Sequence, residues 1–274
     1  GSAEPRTEFR RFLANVFHLY PEADFDALIA ECVERDPRDP VVYRQLEARL
    51  ADISPFLGLV RYSLPALEKQ KAEMANQTTK LLGEGSQFHG YLEIGSHGRY
   101  LDQLRERVNI GGPVYTTSFQ APTYSPADVV DRGQISQVGT VLPWTDYAPF
   151  TARDIEPESL DLITVYIGLH HTTEEGRAPY VRSLHRALSK KGKLVVRDHD
   201  VQDDSLRHLV GLAHDVFNVG TGETWRTNEN ERRNFYSLST LVALLESEGF
   251  VAHPERLLQD CDPTKNTVLC FSKA

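Results

Sequence analysis

The chain has 274 residues, 40% of them hydrophobic and 25% charged, with 18 glycines and 15 prolines; this excludes disordered, collagen-like and coiled-coil architectures and allows one large domain or two modest ones. Its 39 acidic and 30 basic residues give a formal charge of −9, which argues against a nucleic-acid binder, and the short basic clusters Lys190-Lys191-Gly192-Lys193 and Arg232-Arg233 read as solvated helix ends. No apolar run reaches the ~18 residues of a membrane helix. The N-terminus shows no apolar signal core, and Gly1-Ser2 reads as a tag remnant. Cys32, Cys261 and Cys270 are odd in number and widely spaced, so a cytoplasmic protein with reduced thiols is expected.

In chain order, residues 4–82 read as nearly all helix. Phe25, Leu28, Ile29 and Val33 follow helical spacing, residues 41–53 form a second helix, and a third runs through Leu67, Lys71, Met74 and Thr78 to Leu82, with Ser63 as its N-cap. Gly83-Glu84-Gly85-Ser86 closes this region, which sets a boundary between a helical cap over 3–85 and a second domain over 86–274. From residue 90 the period changes. Strands are expected at 91–95, 113–117, 138–142, 160–167 and 193–197, with helices at 99–108, through Val181, Leu184 and Leu188, from Asp204, and through Leu238, Leu241, Val242 and Leu245. Lys190-Lys191-Gly192 reads as the basic end of the helix before the 193–197 strand. Residues 250–252 and 267–271 are the last strands, and the Pro263-Thr264-Lys265-Asn266 turn is too tight for a parallel crossover, so that pair is antiparallel. The result is a doubly wound α/β fold, a mostly parallel seven-stranded sheet with an antiparallel last strand and an N-terminal helical cap.

The first strand runs into Glu93-Ile94-Gly95-Ser96-His97-Gly98. Gly95 and Gly98 permit a tight turn at a helix N-terminus, and Glu93 stands where a pyrophosphate-binding turn places glycine. A carboxylate there suits a ligand with cationic groups. With Asp161-Leu162-Ile163-Thr164-Val165-Tyr166-Ile167-Gly168-Leu169-His170-His171 and Leu188-Ser189-Lys190-Lys191-Gly192-Lys193-Leu194-Val195-Val196, this block resembles the class I (Rossmann-like) S-adenosylmethionine-dependent methyltransferases over residues 88–274.

The resemblance implies S-adenosylmethionine as cofactor. It places Glu93, Gly95, Ser96 and Gly98 beneath the cofactor's methionine and ribose, Tyr166 and Gly168 at the exit of the fourth strand, and Asp146, beside Trp144, at the adenine. The second strand ends in Thr116-Thr117-Ser118-Phe119 without the family's ribose-binding acid; Thr117, Ser118 or a looped-back Asp128 stands in for it, Asp131 being the next carboxylate. On the substrate side His170, Asp198, Asn218 and Trp225 are candidate acceptor contacts, and His171, His199 and His214 are candidate bases. Asp198 and Asp200 have helix capping or pairing with Arg197 as alternatives. Tyr62, Tyr180, Trp225, Phe235 and Tyr236 form either an aromatic wall or plain core. Residues 218–225 read as a polar, glycine-bearing loop. The His and Asp residues lack a compact ligand spacing, so no metal is expected.

The implied activity is methyl transfer to a small-molecule acceptor at O, N, S or C, with no nucleic-acid or membrane partner and a homodimer as one assembly. Transfer or cyclisation of the aminocarboxypropyl chain, which releases methylthioadenosine, is the alternative within the same cofactor; a non-catalytic scaffold and a nicotinamide dehydrogenase follow. The helical surplus either closes the acceptor pocket or serves as a dimerisation arm.

Overall fold

The computed structural model describes residues 5–17, 19–53, 64–118, 123–124, 129, 137–143, 145–166 and 168–274. Tyr62, Ser63, Phe119, Asp128, Asp131, Trp144 and Ile167, which carry expectations above, lie outside them. Among the described residues no helix is long and apolar enough to cross a membrane. Two compact units divide the chain: one comprises residues 1–69, 201–233 and 260–265, the other residues 70–200, 234–259 and 266–274.

The second unit is built on β1 (Gln87–Ile94), β2 (Asn109–Thr117), β3 (Thr140–Leu142), β4 (Leu160–Val165), β5 (Leu188–His199), β6 (Phe250–Leu258) and β7 (Asn266–Lys273), in the order β3-β2-β1-β4-β5-β7-β6. The first five are parallel; β7 runs antiparallel to β6, as the tight turn between them requires, and also to β5. Successive residues serve opposite faces. Leu92, Ile163 and Val196 enter one core, with Leu184 of α6 (Glu174–Ala187) and Leu241 of α9 (Leu238–Ser247). Their neighbours Tyr91, Leu162 and Val195 enter the other, with Met74 of α4 (Leu64–Leu82) and Leu104 of α5 (Leu101–Arg105). Burial on both faces is why these strands read as continuous apolar runs.

The first unit holds α1 (Pro5–Phe12), a π-helical stretch Leu13–Phe17, α2 (Glu22–Arg35), α3 (Asp39–Ile53), α7 (Asp204–Gly220) and α8 (Trp225–Asn230). Phe25 and Leu28, Tyr43 and Leu46, and Ala213 and Val216 share its core. Val33, expected on the apolar stripe of α2, is 44% exposed.

Three expectations change. The organisation into a cap over 3–85 and a domain over 86–274 gives way to the division above, because α4 from residue 70 packs with the sheet through Met74 and Thr78 while residues 201–233 join the helical unit. Lys190-Lys191-Gly192 lies within β5, since α6 ends at Ala187 and Leu188 already pairs with Leu160. The expected 218–225 loop is the end of α7, a short connection and the start of α8.

On α4, Lys71 is fully buried with its Nζ 2.5 Å from Asp102 of α5, and the Thr78 hydroxyl meets Tyr166 Oη at 2.7 Å. Tyr166→Phe leaves the Thr78 hydroxyl buried without this partner; it is expected to cost about 1–3 kcal/mol of stability, read by chemical denaturation with an unchanged denaturant slope.

Candidate functional site

Five parallel strands direct their C-terminal ends to one edge of the sheet. Strands β1 to β3 step outward on one side and β4 to β5 on the other, so the order reverses between β1 and β4. Such a reversal opens a crevice outside the strand ends, the general place for ligands in open α/β sheets.

On the β1 side, Gly95 and Gly98 hold φ values of 93° and 91°, open to glycine at little cost. The Gly95 amide donates to the Thr117 carbonyl at 2.7 Å and ties the turn to the end of β2. A Cβ on Gly98 would stand 2.9 Å from the Val138 Cβ. Glu93 points inward. Its carboxylate is fully buried and accepts hydrogen bonds from the Tyr91 hydroxyl (2.9 Å), the Ser96 hydroxyl and the Tyr100 amide (3.4 Å). The Tyr91 oxygen also meets the Thr164 hydroxyl of β4 at 2.7 Å. Glu93, read above as suited to a ligand with cationic groups, is tied by these bonds to the turn that carries Gly95 and Gly98. Burial pushes its carboxyl pKa up, against the pull of Ser96, Tyr91 and the Tyr100 amide.

Thr117 is buried at the end of β2. Asp146 is exposed and Tyr147 buried; both hold left-handed backbone, with φ of 52° and 60°, which turns the chain after β3. The Tyr166 ring lies in the α4-side core, edge-on to Tyr100 at 4.7 Å, which leaves its backbone for the strand exit.

On the β4 side, Gly168 precedes a single 3-10 turn, Leu169–His171. A Cβ at 168 would lie 2.4 Å from His170 Nδ1 and 2.6 Å from Asp198 Oδ1, so the residue is bare where the chain passes this pair. His170 Nδ1 lies 2.6 Å from Asp198 Oδ1, and both side chains are almost wholly buried. Asp198 Oδ1 also accepts the His199 amide at 2.8 Å, and its Oδ2 accepts the Tyr236 hydroxyl at 2.6 Å. Burial alone would raise the Asp198 pKa. The His170 charge and hydrogen bond, the Tyr236 hydroxyl and the His199 charge outweigh it and hold the carboxyl below the usual range. The His171 and Phe235 rings lie 4.2 and 5.1 Å from that of His170, and His199 lies 5.7 Å away.

Backbone ties fix this arrangement. The Asn234 amide donates to the His170 carbonyl at 3.0 Å, and the Asn234 side chain donates to the Thr172 carbonyl at 2.7 Å. Asp200 accepts the Leu238 amide at 2.9 Å and so caps α9, while Arg197 turns to Gln259.

His214, Asn218 and Trp225 belong to the helical unit. There His214 Nδ1 lies 3.3 Å from Glu231, Asn218 donates to Asn228 (2.8 Å) and Glu231 (3.1 Å), and Arg233 joins Glu231 (2.7 Å) to Asp215 (2.8 Å). Trp225 packs edge-on to Tyr43 at 5.3 Å. Sequence reasoning missed Arg177, Asn234 and Thr78. Tyr236 stands among the aromatic residues read above as wall or core.

No family model matches the chain, and neither does any curated protein. Several solved structures share its fold. The Burkholderia thailandensis 1,6-didemethyltoxoflavin-N1-methyltransferase, solved with 1,6-didemethyltoxoflavin and S-adenosylhomocysteine, aligns over 86% of this chain and 91% of its own with a TM-score of 0.50 and 12% identity. The mitomycin 7-O-methyltransferase aligns over 99% and 69% with a TM-score of 0.50 and 15% identity. An O-methyltransferase family 2 protein from Planctomyces limnophilus, in complex with apigenin, aligns over 77% and 60% with a TM-score of 0.50 and 12% identity. The fold is that of the Rossmann-like methyltransferases, as the sequence resemblance implies.

A buried carboxyl with a raised pKa binds more protons folded than unfolded, so its contribution to stability falls as pH rises above about 4.5. Glu93→Gln removes that titration. The melting temperature of the variant relative to the parent is expected to climb from about pH 4.5 upward, as read by thermal melts between pH 4 and 8.

Proposed function

We propose that the chain is an S-adenosylmethionine-dependent methyltransferase whose small-molecule acceptor reaches the site with its nucleophile protonated. One juxtaposition carries this reading. The glycine turn after β1 and Gly168 after β4 flank the point where strand order reverses, and the His170–Asp198 pair follows Gly168 on the same strand ends.

The residues suit such a cofactor. A left-handed glycine turn offers backbone to the ligand, and the inward Glu93 replaces the glycine that a pyrophosphate would need. Gly95, Ser96 and Gly98 would hold the methionine and ribose end, Thr117 the ribose, Asp146 the adenine, and the backbone of Tyr166 and Gly168 the strand exit. When bound, S-adenosylmethionine supplies an electrophilic methyl on a sulfonium.

His170 acts as the general base. Its Nδ1 is committed to Asp198, so Nε2 is the basic nitrogen and takes the proton from the acceptor; the lone pair so freed would form the new bond to the methyl while the methyl–sulfur bond breaks and its electrons stay on sulfur, giving the neutral thioether S-adenosylhomocysteine. Asp198 then stabilises the imidazolium, as a buried carboxylate does in a histidine dyad. His171 and His199, expected above as bases, stand beside this ring as acceptor contacts, together with Phe235.

Calorimetry should show S-adenosylmethionine binding, and incubation with acceptors should yield S-adenosylhomocysteine. Methylthioadenosine as coproduct would indicate aminocarboxypropyl chemistry, and no affinity for the cofactor would leave a non-catalytic scaffold. Gly95→Val should abolish cofactor binding with the circular dichroism spectrum retained. His170→Ala should lower turnover by about 10²–10⁴-fold at unchanged cofactor affinity.

A further inference from the structure

Asp198 has two oxygens, and they are used differently. Oδ1 serves His170 Nδ1 and the His199 amide, while Oδ2 accepts a short 2.6 Å bond from the Tyr236 hydroxyl. Tyr236 stands just before α9, whose first turn Asp200 caps. Its ring lies beneath the Arg177 guanidinium, 4.4 Å from carbon to centroid, and Arg177 is itself anchored to the Thr172 hydroxyl at 2.8 Å. Two elements thus converge on this phenol of the segment leading into α9: α6 through Arg177 and β5 through Asp198.

We propose that Tyr236 is a positioning residue that sets the basicity of His170 by sharing the charge of Asp198. This rests on the reading of His170 as base. The hydroxyl donates to Oδ2 and draws part of the carboxylate charge away from Oδ1, so less negative charge faces the imidazolium. The Arg177 cation over the ring withdraws electron density from the phenol and makes it a better donor. Without this bond the full Asp198 charge acts on His170, which then keeps its proton to higher pH. Titratable groups of the same unit that face this cluster include His171 on the turn after β4, His199 at the end of β5 and Tyr147 in the segment after β3.

Tyr236→Phe removes only the hydroxyl. The acid limb of its kcat/KM profile should move up by about one pH unit, with turnover about tenfold lower on that limb and parental above it. A monofluorinated tyrosine at position 236, a stronger donor of the same shape, should move the limb the opposite way. A loss equal at every pH, or the same direction of shift for both replacements, would overturn the proposal. Proton NMR titration of the His170 ring in the parent and both variants reads the same coupling without turnover. If the parent transfers no methyl group, the functional reading fails by itself, and the NMR shifts still decide whether Tyr236 governs His170; their absence refutes it.

Discussion

The buried carboxylate of Asp198 is the constraint around which the sheet end is arranged. An ionised carboxylate taken out of water costs several kcal/mol unless protein dipoles replace its hydration. Here the replacement comes from His170, the His199 amide and Tyr236, on three separate elements. Each donor imposes its own demand. His170 needs a bare residue at 168, where any Cβ would push into the pair. Tyr236 needs the chain from Asn234 pinned to the His170 carbonyl. One charge therefore sets the course of the turn after β4, the end of β5 and the entry to α9.

A second carboxylate, Glu93, organises the other side of the reversal in a different way. It lies in the sheet interior, and Tyr91 connects it to Thr164 on β4. The turn after β1 is thereby coupled through hydroxyls to the strand that delivers Gly168 and His170. Across the crevice the two carboxyls are tuned apart. Burial dominates at Glu93 and pushes its pKa up, whereas charge and hydrogen bonding dominate at Asp198 and hold it down.

Much of the sheet is legible in the chain because strands buried on both faces write themselves as apolar runs, 160–165 most clearly. The glycine turn is legible for a local reason, since left-handed backbone selects glycine. The site is only half legible. His170, Asp198 and Tyr236 all stand out by residue type, yet they are 28 and 38 residues apart in the pairs they form. Which of two adjacent histidines reaches Asp198 depends on the 3-10 turn and on Gly168, and neither has a periodic signature. The unit division is illegible for a related reason. Amphipathic spacing reveals that a helix has a buried face but not which core receives it, and so α4 reads like α2 and α3 although Met74 packs with the sheet.

The helical unit draws its core from distant parts of the chain. Phe12, Phe17 and Phe25 share that core with Ala213, Val216 and Val219, and the Tyr20 hydroxyl bonds to a carbonyl 200 residues further on. Loop closure over such a span carries a large entropic cost before any contact repays it, and high contact order slows folding. During synthesis the first helices must wait for α7 before their apolar faces find cover. Excising them as a module would in turn strip the apolar side of α7, so this chain does not divide into an N-terminal half and a C-terminal half that can be made apart.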